Sequence, residues 1–155
     1  MSELTILTLD LGTTMGWALH RGGQPVTSGT AVFKHDRYQG GGMRYLKFTH
    51  WLDGLLETVT RIDAVYFEEV RRHLGVDAAH AYGGFLAHLT AWCEGNGIAY
   101  EGVPVGTIKR HATGKGNASK VQVIEAVCQR GHTPADDNEA DALAILHWAI
   151  DTRMG

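Results

Sequence analysis

Short apolar, β-branched segments bounded by turn residues alternate along this chain with longer segments in which apolar residues recur at helical spacing. The first pattern is typical of buried strands, and the second is typical of helices that pack by one face. Strands are predicted over residues 4–10, 15–21, 26–33, 64–70 and 98–105. Helices are predicted over residues 43–60, 78–94, a short stretch from Thr107, 119–129 with Ser119 as cap, and 136–151.

Two of the predicted helices carry patterns that indicate how they pack. The helix over 43–60 is indicated by four apolar residues that recur at roughly helical spacing: Leu46, Trp51, Leu55 and Val59. The helix over 78–94 is alanine-rich, with Tyr82, Phe85 and Leu89 on one side and a glycine pair that permits close approach. This helix either packs against the chain's own sheet or provides a dimer face.

The order of the elements predicts the topology. Three strands joined by short turns predict an antiparallel meander, and the later strand–helix alternation predicts right-handed crossovers. The fourth and fifth strands would then run parallel to the first. The predicted fold class is α/β, with a five-stranded mixed sheet, strands 1–3 antiparallel, helices on both faces, and one domain over residues 1–155.

Composition narrows the class of protein. The chain has 155 residues, 44% hydrophobic, and a net charge of −3, which argues mildly against nucleic acid because such domains are usually basic. It has no apolar run long enough to span a membrane, and its first residues lack the basic start of a signal peptide. Cys93 and Cys128 form no metal or redox motif, which favours a reducing compartment such as the cytoplasm.

Acidic residues end two strands of the predicted sheet. Asp10 closes the first strand, and Glu68 and Glu69 lie near the end of the fourth. The two strands are predicted to be parallel neighbours, so Asp10 and Glu68 should finish at the same edge. Adjacent residues on a regular strand point to opposite faces, so at least one of Glu68 and Glu69 should be solvated.

A second group of acids crowds the start of the last helix: Asp136, Asp137, Glu139 and Asp141. Asp137 and Asn138 lie four and three residues before Asp141 and share its helix face. Carboxylates gathered from separate elements repel one another without a cation, and Mg²⁺ prefers such oxygens. Two such ions can activate water and stabilise a leaving oxygen in phosphodiester cleavage. The simpler alternative for Asp136 and Asp137 is a favourable interaction with the helix dipole.

Three motifs, in this order and spacing, resemble the RuvC-type Holliday junction resolvases of the RNase H-like fold: LDLGTTMGWA, YFEEV and DNEADALAIL. The likeness is greater to phage-encoded members, which would place the protein in host cytoplasm. The resemblance implies a homodimeric, Mg²⁺-dependent endonuclease, with Mn²⁺ substituting, that nicks branched DNA such as four-way junctions. The family's acids correspond to Asp10, Glu68 and Asp141. Its other late acid falls on Asn138, so Asn138 or Asp137 completes the metal ligands, and we favour Asp137.

The segment over 107–120 is the only dense basic stretch and contains no acid; its cations are Lys109, Arg110, His111, Lys115 and Lys120. Flanking glycines let backbone approach phosphate, although a solvated loop would show the same composition. In the resembled family, two lysines eleven residues apart in this region support DNA binding and cleavage. Lys109 and Lys120 have that spacing.

Further candidate DNA contacts lie outside that segment. Arg71, Arg72 and His73 follow the fourth strand, close to Glu68, and can reach phosphates. Many bacterial members of the resembled family carry an aromatic wedge where Arg71 stands. A weaker candidate surface, which simple solvation explains equally well, comprises Tyr38, Arg44, Tyr45 and Lys47.

Three other functions compete with junction resolution. The LDLGTT string resembles the phosphate-binding turn of actin-like and sugar-kinase ATPases, but those proteins have two lobes and a second phosphate loop that this chain lacks. A ribosomal-RNA-processing nuclease of the same superfamily would share the acids. A DNA-binding module without catalysis would share the fold, although retention of Asp10, Glu68 and Asp141 argues against it.

Overall fold

The computed structural model describes residues 3–72 and 75–154. Its strands are β1 (Ile6–Asp10), β2 (Thr14–His20), β3 (Thr27–Val32), β4 (Ala64–Glu69) and β5 (Ala99–Pro104). Its helices are α1 (Gly42–Val59), α2 (Val76–Asn96), α3 (Val105–Thr113), α4 (Lys120–Gln129) and α5 (Asp137–Arg153). Every predicted element is present, with ends that differ from the prediction by two residues at most. Among the described residues, no helix has the length and apolarity needed to cross a membrane.

The strands form one mixed sheet in the order β3-β2-β1-β4-β5. The pairs β1–β2 and β2–β3 are antiparallel, whereas β1–β4 and β4–β5 are parallel. This topology confirms the predicted fold class. Its consequence for function is that β1 and β4 end side by side at one edge of the sheet.

Each face of the sheet carries its own hydrophobic core. On β1, Ile6 joins the core beneath α3, α4 and α5, whereas Leu7 and Leu9 join the core beneath α1 and α2. The alternation follows from the pleat, because successive strand side chains point to opposite faces. A strand covered on both faces therefore reads as a continuous apolar run in the sequence.

Helix α1 packs by one face. Phe48, Leu52 and Val59 are buried, whereas Leu46 is 45% exposed. Leu46 lies about 200° around the helix from Phe48, on the solvent side. Of the four apolar residues that indicated the helical period, Leu46 therefore lies outside the buried face.

The alanine-rich helix α2 packs against its own chain. Phe85 and Leu89 are fully buried, and a side chain at Gly84 would collide with the ring of Tyr45 on α1. Gly84, the second glycine of the pair, therefore allows α1 and α2 to approach closely.

Helix α5 is held tightly against the sheet. The hydroxyl of Thr8 donates a 2.7 Å hydrogen bond to the carbonyl of Ala142. Gly16 lies so close to the backbone of Asn138 that any side chain there would overlap its carbonyl. These two contacts place the first turns of α5 beside the ends of β1 and β2.

Candidate active site

Asp10 and Glu68 lie on the same face of the sheet. Asp10 follows Thr8 by two residues, and Thr8 binds α5, so the Asp10 side chain also points toward that helix. Glu68 follows Tyr66 by two residues, and Tyr66 belongs to the core beneath α5. The two carboxyl groups lie close enough for each to shift the pKa of the other.

Glu69 faces the other side of the sheet. It lines a groove beneath α2 together with Phe67, and its carboxylate forms a 2.9 Å ion pair with Arg71. Because adjacent strand residues alternate, Glu68 is the member of the pair that joins Asp10.

Asp141 on α5 completes a cluster of three acids, and the pKa values show how strongly the groups interact. Burial, followed by the charges of Glu68 and Asp141, raises the pKa of Asp10 to about 8. Burial and the charge of Glu68 raise the pKa of Asp141 to about 7. Burial also raises the pKa of Glu68. Asp10 and Asp141 therefore hold protons near neutral pH, because burial disfavours their charged forms and the neighbouring acids repel them.

Asp137 lies at the exposed margin of this cluster. Its carboxylate accepts a 3.0 Å hydrogen bond from the Lys120 ammonium, which lowers the pKa of Asp137 and raises that of Lys120. Asp137 is near enough for its charge to raise the pKa values of Asp10 and Asp141. Asn138, the alternative fourth ligand, packs its backbone carbonyl against Gly16.

The basic residues of the sequence prediction fall into separate places. Lys109 lines a small cavity with Glu68 and Asp141, so Lys109 and Lys120 flank the acids from two helices. Arg71 and Arg72 are exposed after β4, at the same edge of the sheet. His73 lies outside the described residues.

The other two predicted cations have different surroundings from Lys109 and Lys120. Arg110 lies against Gly116 in the loop before α4. Lys115 borders a polar depression whose other residues include Gln122 and Glu125 of α4.

Two acids at the start of α5 have structural roles. Asp136 caps the helix by accepting a 2.8 Å hydrogen bond from the Glu139 amide, and its carboxylate also accepts one from the Thr30 hydroxyl. Glu139 accepts a 2.7 Å hydrogen bond from the Ser28 hydroxyl. The two contacts with β3 fix the position from which Asp137 and Asp141 project.

The donor set suits a hard divalent cation. Asp10, Glu68 and Asp141 offer carboxylate oxygens, which are the ligands of Mg²⁺ and Mn²⁺. Burial is the first cause of their raised pKa values, and the charges of Lys109 and Lys120 offset it only in part. Within residues 3–72 and 75–154, however, no three acidic, histidine or cysteine side chains already stand at metal-binding distances. The acids are assembled into one cluster without forming a finished coordination shell.

Two residues that the sequence analysis did not select position this site. Thr8 fixes α5 against β1, and Gly16 allows the helix start to approach β2. Thr8 carries a weak signal in the sequence, because it is a polar residue inside an otherwise apolar strand. Gly16 carries none, because the approach of Asn138 depends on contacts more than a hundred residues apart.

The fold is similar to that of solved resolvases. No protein-family model matches the sequence, and no curated protein matches it. Thermus thermophilus RuvC has a TM-score of 0.75 at 22% identity, covering 98% of this chain and 97% of that chain. The same protein in complex with a Holliday junction substrate has a TM-score of 0.80 at 22% identity, covering 98% and 96%.

A more distant structure shares the same core. The yeast mitochondrial Holliday junction resolvase Ydc2 has a TM-score of 0.61 at 11% identity, covering 92% of this chain and 76% of that chain. The chain therefore has the fold of the RuvC-type Holliday junction resolvases.

Proposed function

We propose that this protein is a Mg²⁺-dependent endonuclease that resolves four-way DNA junctions and related branched DNA. The observation that carries the proposal is the meeting of Asp10, Glu68 and Asp141 at one edge of a RuvC-type sheet. These acids come from two parallel strands and a helix that are far apart in sequence. Their crowding raises the free energy of the ionised cluster, which a bound cation would relieve.

In this proposal, Asp10, Glu68 and Asp141 hold the metal, and Asp137 or Asn138 assists at the margin. A bound divalent ion would lower the pKa of a water molecule and neutralise charge on the leaving oxygen. The chain's own residues orient the scissile phosphate and hold the acids in place. Cleavage would proceed by direct attack of water, without a covalent enzyme intermediate, and Mn²⁺ would substitute for Mg²⁺.

Lys109 and Lys120 are proposed to bind the phosphates on either side of the cut. Lys109 faces Glu68 and Asp141, and Lys120 reaches Asp137 from α4. The ion pair with Asp137 keeps the Lys120 ammonium beside the acids while most of its side chain is exposed. DNA contacts by Arg71, Arg72, Arg110 and Lys115 remain part of the proposal, at greater distance from the cut.

The substrate's symmetry leads to the proposed assembly. Resolution of a four-way junction into ligatable duplexes requires two nicks placed symmetrically. The described residues of one chain form one such acid cluster, and a twofold homodimer would supply the second. We therefore propose a homodimer acting in the cytoplasm, in a host cell if the protein is phage-encoded. Sedimentation at micromolar concentration, with and without junction DNA, tests this; a strict monomer would refute paired nicking.

The central experiment compares cleavage of a four-way junction, linear duplex, single-stranded DNA and a structured RNA, each with Mg²⁺ and with EDTA. The proposal predicts metal-dependent nicks in the junction and little cleavage of linear duplex. Preferential cleavage of RNA would instead support the RNA-processing alternative. Nucleotide hydrolysis without nuclease activity would support the ATPase alternative.

A matched pair of variants tests the site within the same assay. Glu68→Gln should abolish cleavage, because Glu68 belongs to the acid cluster. Glu69→Gln should leave it nearly unchanged, because Glu69 faces α2 and pairs with Arg71. An inactive Glu69→Gln beside an active Glu68→Gln would reverse the assignment.

A further inference from the structure

The loop over residues 33–41, between β3 and α1, carries a highly exposed aromatic side chain. Tyr38 is 85% exposed, the largest value for a bulky hydrophobic side chain within the described ranges. Its position is defined by a tight turn. The Tyr38 amide donates to the Asp36 carboxylate at 2.8 Å, and the Gln39 amide donates to the Asp36 carbonyl at 3.1 Å. The turn presents the ring to solvent at its tip.

The loop leaves the sheet at the edge that carries the acid cluster. Val32, the last residue of β3, pairs with Thr14, and the Phe33 amide donates a 2.7 Å hydrogen bond to the Thr13 carbonyl. This is the edge at which β1 ends in Asp10. β3 is two strands from β1, so the loop begins about 10 Å to one side of the acids. A nucleic acid bound across the acids would pass within reach of the loop.

The surroundings of Tyr38 are basic. Four cations and one acid lie between residues 34 and 47: Lys34, Arg37, Arg44, Lys47 and Asp36. The Arg37 guanidinium lies 5.0 Å from the centre of the Tyr38 ring. The Lys47 ammonium donates a 3.0 Å hydrogen bond to the Lys34 carbonyl, which ties the loop to α1. An aromatic ring among cations would meet both the bases and the phosphates of a nucleic acid.

We propose that Tyr38 stacks on an unpaired or splayed base of branched DNA, while Lys34 and Arg37 neutralise the neighbouring phosphates. Exposed aromatic rings flanked by cations bind single-stranded nucleotides in this way. A base inside linear duplex is not accessible to the ring, so this contact would favour branch points over duplex. This inference rests on the proposed function and adds a specificity residue outside the acid cluster.

The test uses a four-way junction with 2-aminopurine at the exchange point, because stacking of this fluorescent base changes its emission. Binding is measured in EDTA, which prevents metal-dependent cleavage, and linear duplex and structured RNA serve as competitors. The variants are Tyr38→Ala, Tyr38→Phe and Tyr38→Trp. Tyr100→Ala is the matched control, since Tyr100 is an exposed tyrosine at the start of β5, at the opposite edge of the sheet.

Tyr38→Ala should weaken junction binding by about 5- to 100-fold, the range expected for loss of one base–aromatic contact. It should also reduce the 2-aminopurine signal and leave duplex affinity unchanged. Tyr38→Phe and Tyr38→Trp should preserve both the junction affinity and the 2-aminopurine signal. Tyr100→Ala should resemble the unmodified protein in both measurements. Because Tyr38 is exposed, thermal unfolding should not change.

Each contrary outcome has a distinct meaning. If the unmodified protein binds the junction and Tyr38→Ala binds it equally well with the same signal, the role of Tyr38 is refuted while the proposed function stands. If the unmodified protein binds no DNA, both are refuted. If structured RNA competes better than the junction and the effect of Tyr38→Ala follows RNA, the assignment to DNA is wrong.

Discussion

Two aspartates on α5, ten residues apart, have opposite environments. Asp151 accepts a 2.8 Å contact from Arg130 and a 2.9 Å contact from His111, and these partners lower its pKa. Asp141 is half-buried beside Glu68, and its pKa rises to about 7. One end of the helix holds a carboxylate whose charge is balanced inside the chain, whereas the other holds one whose charge is not.

The difference separates acids that pair within the fold from the acids of the proposed metal site. A folding chain gains nothing from gathering Asp10, Glu68 and Asp141 without a cation, because each carboxylate raises the free energy of ionising the others. Clusters with perturbed pKa values of this kind concentrate at functional sites. Asp151, in contrast, contacts Arg130 just after α4 and His111 of α3.

The largest expected effect is a loss of cleavage when Asp141 is replaced by asparagine, and the same replacement of Asp151 serves as the comparison. Asp141→Asn should lower Mg²⁺-dependent junction cleavage by about 10³-fold or more, because it removes a proposed metal ligand. Asp151→Asn should change it by less than about 2-fold. Single-turnover cleavage of a labelled junction measures both. Equal losses of cleavage in the two variants would show that the different environments of Asp141 and Asp151 do not correspond to different roles.

The second prediction concerns stability without metal. The pKa of Asp10 rises from 3.8 to about 8, so the folded chain binds more protons than the unfolded chain between these values. Stability should therefore fall as pH rises from about 4 to 8. Asp10→Asn should remove much of this loss and stabilise the metal-free protein at pH 8 by on the order of 1–3 kcal/mol.

Urea unfolding in EDTA at pH 5 and pH 8 measures this effect. Asp151→Asn serves as the control, because the pKa of Asp151 is lowered and its loss should not stabilise the protein at pH 8. Mg²⁺ should raise the stability of the unmodified protein more than that of Asp10→Asn. A metal-free Asp10→Asn less stable than the unmodified protein at pH 8 would contradict the prediction.

The third prediction uses the histidine pair beside Asp151. His132 and His147 bring their Nε2 atoms within 2.8 Å, and burial with nearby Arg130 lowers the pKa of His147 from 6.5 to about 4. His111 and Asp151 also face His147. The unfolded chain binds more protons between pH 4 and 6.5, so stability is lost as pH falls through this range.

In His147→Gln, the decrease in the free energy of unfolding between pH 7 and pH 5 should be smaller by on the order of 1–2 kcal/mol. Urea unfolding at the two pH values measures it. His88→Gln is the control, because His88 is exposed on α2. An unchanged pH slope in His147→Gln would show that the pair does not govern acid stability. Cleavage at pH 8 should be unaffected, since the pair lies near the far end of α5.

The smallest effect is expected from the ion pairs of Asp151. Its side chain is 40% exposed, so solvent screens its contacts with Arg130 and His111. Asp151→Asn should reduce stability by about 0.5–1 kcal/mol at pH 7, with the effect weakening in high salt. A salt-independent loss would indicate that packing rather than charge is responsible.

Much of the fold and the identity of the acids followed from the sequence. The strands of 4–10 and 64–70 are short apolar runs with acids at their ends, and strand–helix alternation requires them to be parallel. For Glu68 and Glu69, the strand pattern predicted only that the two side chains point to opposite faces of the sheet. The structure assigns the faces, because Tyr66 packs beneath α5 and Phe67 packs beneath α2.

Other features depended on contacts that local pattern does not encode. Leu46 fits a helical period yet faces solvent, because the bulk of Phe48 determines the orientation of α1. Asp136 and Asp137 look equivalent in sequence. One caps α5 and binds Thr30, whereas the other projects to Lys120, because the helix begins between them.

The sequence by itself determined the element order and the mixed sheet, because backbone periodicity and strand polarity are local properties that propagate into topology. It placed Asp10 and Glu68 at the ends of two parallel strands, whereas the choice of Asp141 among the acids of α5 followed from the resemblance to RuvC-type resolvases. Tertiary structure alone decided how close those acids lie and which cations face them. That closeness depends on Thr8 binding α5 and on Gly16 admitting its first turn, contacts that join residues more than a hundred positions apart. Burial and mutual repulsion arise only once those contacts form, and they turn three ordinary carboxylates into a candidate metal site.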